Sequence, residues 1–148
     1  MSRSFDCPPA AGAQDERREG LRIAGYAALF DVPDGAKDVI VPGAFRRTLG
    51  EKRSLPLFWQ HRPDQRIGEV EFVEEDARGL RVIARIDNPD GRAARALLAR
   101  QVDGLSFGYR ARGYRRLERG RRLEDIDLFE VSLVTHPLQH EARVHLVQ

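Results

Sequence analysis

Six short stretches dominate the chain, each rich in apolar residues and most of them bounded by turn residues. They are Leu21–Phe30, Ser54–Gln60, Ile67–Val73, Leu80–Ile86, Leu105–Tyr114 and Leu123–Thr135. In several of them apolar and polar residues alternate, which puts one face of an extended strand into a core and leaves the other outside. A seventh, Val144–Val147, reads as a last short strand. Between them lie turn signals: Asp31 to Asp38 with Pro33 and Gly35, and Glu74 to Gly79. Only two segments carry helical patterns. Pro42-Gly43-Ala44-Phe45 opens a short helix with Phe45 and Leu49 on one face. Asn88-Pro89 reads as a second helix start, with Ala94, Leu97, Leu98 and Gln101 along one side and Gly104 closing it. The expected fold is mainly β with flanking helices. It is a compact, mostly antiparallel barrel or sandwich of about six or seven strands.

The length, 148 residues, fits one domain that holds a core without disulfides or metals. Residues 1 to 20 lack periodicity and read as a disordered or loosely attached arm, leaving 21 to 148 as the folded domain. Cys7 is the only cysteine, so no internal disulfide can form. No apolar run approaches the roughly 20 residues that span a bilayer. The polar N-terminus does not resemble a secretory signal. These features read as a soluble, intracellular protein with no membrane partner. Net charge is +2, yet seven of the 23 arginines fall between Arg110 and Arg122. Glu118, Glu124, Asp125 and Asp127 partly cancel that stripe, which reads as a solvated hairpin rather than a nucleic-acid surface.

Glycine-rich phosphate loops, His-Glu-x-x-His helices and paired-cysteine spacings are all absent, so no cofactor or metal is expected. What remains is a set of polar residues inside apolar strands. His61 ends Leu55-Pro56-Leu57-Phe58-Trp59-Gln60-His61, and a regular strand would give it the face of Leu55, Leu57 and Trp59. Ser106 shares its face with Gly104 and Gly108, an arrangement that leaves room for another backbone. Glu130 would share a face with Ser132, Val134 and His136, and a buried carboxylate there needs a partner. Serine requires a base to attack a carbonyl, histidine suits that role near neutral pH, and a third group fixes the imidazole. Glu130 or His136 could be that third group. Five serines and four histidines allow twenty such pairs, so residue chemistry alone does not select one.

The order of motifs does. Gly25-Tyr26-Ala27 with Phe30-Asp31 comes first, then Val39-Ile40-Val41-Pro42-Gly43-Ala44-Phe45. Trp59-Gln60-His61, Ile67-Gly68 and Gly79-Leu80 follow. Then come Gly104-Leu105-Ser106-Phe107-Gly108-Tyr109, Glu130-Val131-Ser132-Leu133-Val134-Thr135 with Pro137, and Ala142-Arg143-Val144. This succession resembles the caudoviral prohead serine proteases, the capsid-maturation family of tailed phages. The tail departs from that family's Pro-Ala-Asn wording, reading Pro137-Leu138-Gln139. The resemblance implies a barrel like that of herpesvirus assemblins, with Ser106 as nucleophile and His61 as base. The Glu-Val-Ser-Leu-Val motif suggests Glu130 as third member, while the herpesvirus enzymes use a second histidine, which keeps His136 open. It also implies major capsid protein and scaffold as substrates, self-cleavage, action inside the prohead in the bacterial host cytoplasm, and, by analogy with assemblins, a homodimer. The rival readings are an inactive homologue serving as assembly scaffold, and a basic β-barrel that binds nucleic acid through Arg110 to Arg122.

Overall fold

The computed structural model describes residues 20–51 and 53–148; the arm expected over 1 to 20 lies outside these residues except for Gly20. Among the described residues, eight strands and two short helices follow in the order β1 (Leu21–Leu29), β2 (Val39–Ile40), α1 (Arg46–Gly50), β3 (Leu55–Trp59), β4 (Arg62–Glu75), β5 (Gly79–Ile86), α2 (Arg92–Leu98), β6 (Gly104–Arg116), β7 (Arg121–Val134) and β8 (Val144–Val147). The count exceeds six or seven because β2 spans two residues, too short for any alternation to show. Consecutive strands β3 to β4, β4 to β5 and β6 to β7 pair as antiparallel neighbours, and β1 pairs with β5 and β8 in the same sense. The exceptions are β2 and β3, which run parallel to β7 on one edge, β2 at Arg122 and Leu123, β3 at Val131 to Leu133.

The sheet curls back on itself. Its two ends meet at one bridge, between Gly104 of β6 and Arg143 just before β8. There Leu105 N–H donates to the Ala142 carbonyl and Val144 N–H to that of Asp103, each at 2.8 Å. The result is a barrel with a seam rather than a continuous ladder. Its interior is filled by the alternate residues the sequence pattern picks out, among them Leu57, Leu80, Val82, Leu105, Leu123, Ile126, Val131 and Leu133, all fully buried. Each such side chain contributes roughly 1.5–3 kcal/mol. Phe45 meets Phe107 edge to face at 5.5 Å, which fastens the α1 segment to β6.

Both helix starts differ from the sequence expectation, for local reasons. Glu75, at the end of β4, accepts the N–H groups of Gly43 and Phe45 at 2.8 Å each, and Gly43 adopts a left-handed φ of 94°. Residues 42 to 45 are therefore a turn pinned by a carboxylate, and α1 begins only at Arg46. Asn88 likewise folds a turn: its side chain accepts the Asp90 N–H and its carbonyl the Gly91 N–H. Helix α2 starts at Arg92, with Gly91 as the residue before it. It ends at Leu98, where Arg100 takes the left-handed turn (φ 59°) expected of a glycine. Gly104 begins β6 instead of closing the helix. A Cβ on Gly104 would lie 2.7 Å from both the Val134 carbonyl oxygen and the Pro137 ring. Beyond β7, buried Gln139 donates to the carbonyls of Leu29 and Val32 and accepts the Leu29 N–H. That side chain ties the segment after β7 to the end of β1.

Candidate active site

His61 does not continue β3. Trp59 pairs with Arg62, and the two residues between them, Gln60 and His61, both have positive φ, 55° and 60°. This is the pattern of a two-residue type I′ hairpin turn, whose backbone twist matches the strands it joins. Two consecutive left-handed residues that are not glycine cost about 1–2 kcal/mol each. Gln60 offsets part of that cost. Its N–H donates to the Leu133 carbonyl, its side-chain amide donates to Thr135 Oγ1 at 2.8 Å, and its side-chain oxygen accepts the Thr135 N–H. The turn also decides where the imidazole goes. A regular strand would put His61 with Leu55, Leu57 and Trp59, which are buried in the core. Instead the ring reaches Glu130 on β7, on the outer face of the sheet. The face expected for His61 is thus corrected, because the strand stops two residues earlier.

Ser106 does share its face with Gly104 and Gly108, as the alternation indicates. In the β6–β7 ladder Ser106 stands opposite Ser132, and Gly108 stands opposite Glu130. Leu105, Phe107, Val131 and Leu133 point the other way, into the core. A Cβ on Gly108 would lie 2.9 Å from Glu130 Cδ, so the carboxylate occupies the space that this glycine leaves. Directly opposite residues of an antiparallel pair have Cβ atoms about 5 Å apart, which sets the spacing of Ser106 and Ser132.

Glu130 is the residue that His61 meets. Nδ1 lies 3.0 Å from Oε2 and 3.2 Å from Oε1. A carboxylate only accepts, so Nδ1 carries the hydrogen, and in the neutral ring Nε2 keeps its lone pair. The carboxylate side chain is 9% exposed and the imidazole 43%, so the anchor is buried and the ring faces outward. His136 lies exposed beyond the end of β7. Ser132, fully buried, completes the group. Its hydroxyl donates to Glu130 at 2.8 Å and accepts the His61 N–H at 3.2 Å. Sequence reasoning placed Ser132 on the face of Glu130 but gave it no part. Its position two residues along the strand from a carboxylate was the available signal.

Farther along the same face, the buried carboxylate of Asp127 receives Arg47 from α1 at 2.6 Å, with Arg110 and Arg112 from β6 at 3.2 and 3.0 Å. The hydrogen bond from Arg47, followed by that from Arg112, holds its carboxyl well below the usual carboxylate range.

The curled sheet that carries the histidine–carboxylate pair resembles the folds of viral capsid proteases. The chain superposes on the varicella-zoster virus protease with a TM-score of 0.62 over 88% of this chain and 64% of that one, at 20% identity. It superposes on the bacteriophage T4 capsid assembly protease, also with a TM-score of 0.62, over 78% of this chain and 81% of that one, at 16% identity. In sequence it is 30% identical to the prohead protease of Enterobacteria phage HK97 over 135 residues, 86% of this chain. The chain spans 60% of the length of that relative. Residues 11–148 match the caudovirus prohead serine protease family, and the chain belongs to it.

Proposed function

We propose that this chain is a serine endopeptidase that cleaves capsid or scaffold protein, and itself, during maturation of a prohead. Family membership supports the substrate class. The observation that carries the chemistry is the His61–Glu130 contact, made on the face where Ser106 stands one strand away. Ser106 Oγ attacks the scissile carbonyl carbon while His61 Nε2 takes its proton. The imidazolium that forms is stabilised by Glu130, which also fixes the tautomer. The proton then passes to the departing amine, leaving an acyl group on Ser106. Water, deprotonated by the same Nε2, releases the new carboxylate and restores the serine. None of these steps requires a cofactor. The reaction takes place inside the prohead, in the host cytoplasm. Among the described residues no helix is long and apolar enough to cross a membrane.

A fluorophosphonate probe tests the assignment without knowledge of the cleavage site. The expected result is one covalent adduct per chain, mapped by mass spectrometry to Ser106 and lost in His61→Ala. An adduct on Ser132, or labelling that survives His61→Ala unchanged, would contradict it.

A further inference from the structure

Ser106, Gly108 and Arg110 occupy alternate positions of β6, and Arg112 sits at the irregularity between Ala111 and Gly113. Their neighbours on β7 fix the face they share. Ser106 is opposite Ser132, Gly108 points at Glu130, and both arginines reach Asp127. Ser106, itself buried, and the two exposed arginines therefore line one column on the face turned away from the core. At about 3.3 Å per residue, Arg110 lies about 13 Å along the strand from Ser106, the span of four extended residues.

Three guanidiniums converge on Asp127, and Arg47, 2.6 Å from it, is shared with Glu51 and Asp125. Arg110 and Arg112 meet no second carboxylate within salt-bridge distance among the described residues, and their side chains are 65% and 50% exposed. A guanidinium has five N–H donors in a rigid fork, of which each of these spends one on Asp127. The pair thus keeps unspent donors toward solvent, while a buried anchor fixes its geometry. That is the arrangement a pre-organised carboxylate receptor requires.

We infer that Arg110 and Arg112 form a subsite for an acidic side chain of the substrate, about four residues from the scissile bond. The inference rests on Ser106 being the nucleophile, as proposed above.

The test is digestion of a defined peptide library by the full chain, with cuts mapped by mass spectrometry and Ser106→Ala as background. Asp or Glu is expected to be enriched about three to five residues from the cut. For a peptide carrying Glu there, compared with its Gln counterpart, the ratio of kcat/KM values falls about tenfold in the Arg110→Gln/Arg112→Gln double variant. The Arg116→Gln/Arg119→Gln pair removes the same charge elsewhere on the hairpin and leaves that ratio unchanged. The wild-type ratio also falls as ionic strength rises, a measurement that stands even where the double variant fails to fold. An equal ratio in wild type and double variant overturns the inference. Cuts without acidic enrichment overturn it while the peptidase reading stands. No cuts above the Ser106→Ala background overturn both. Oligonucleotide binding that depends on Arg110 and Arg112, with unchanged cut preference, assigns the pair to phosphate and overturns the inference as well.

Discussion

Glu130 is held by three features that a single substitution can separate. It accepts from His61, it accepts from Ser132, and it fills the space over Gly108. Glu130→Gln keeps the shape but loses the charge that stabilises an imidazolium. It should lower kcat by about 10²-fold or more, while His136→Gln stays within about twofold. A peptide-cleavage assay on both variants decides between the two third members that the sequence left open. Gly108→Ala should lower turnover about tenfold with the fold intact, because the new Cβ displaces a side chain whose far end can move. Circular dichroism alongside kcat checks both halves of that expectation. Motif order singles out Ser106, His61 and Glu130 as candidates, and the structure brings His61 against Glu130. The role of Ser132 was not legible, since its two hydrogen bonds depend on a turn that brings His61 across from another strand.

At the scale of elements, strands were far more legible than helix ends. Alternation marks a strand along its whole length, whereas a helix start depends on which donor a single side chain captures. Asn88 and Pro42 carry good helix-start chemistry, yet each serves a turn whose geometry is set locally or by Glu75. The Gln60–His61 turn was hidden for a related reason. Two non-glycine residues in the left-handed region follow from the hairpin and from Thr135, not from their own preference. Gln60→Ala should therefore destabilise the fold by about 1–2 kcal/mol in urea unfolding. It should also lower kcat more than it raises KM, since the base loses its support. The Asp127 cluster gives an acid limb to stability. Its carboxyl is depressed in the folded state, so its contribution is present above the ordinary aspartate value near 4 and is lost as pH falls below that. Urea midpoints measured across that range should fall with acid in the wild type, and by less in Asp127→Asn.

For the whole molecule the closing seam matters most. The sequence pattern announced a β-barrel or sandwich but not which strands would meet, because long-range pairing leaves no mark on any one segment. Gly25 of β1 lies under that seam, where an added Cβ would stand 2.2 Å from the Arg143 carbonyl oxygen and 2.9 Å from Leu105 Cδ1. Gly25→Ala should cost about 2 kcal/mol in urea unfolding, since backbone rather than a flexible side chain must give way. Closing the seam brings the start of β6 against the stretch before β8, and so anchors the strand that carries Ser106. The central claim is that this serine, activated by His61 and Glu130, cuts capsid protein. Co-expression with the cognate capsid protein, followed by intact-mass measurement, tests it most directly. The account predicts a shortened capsid protein with the wild-type chain and a full-length one with Ser106→Ala. The same shortening with both, or a full-length protein with both, would contradict it.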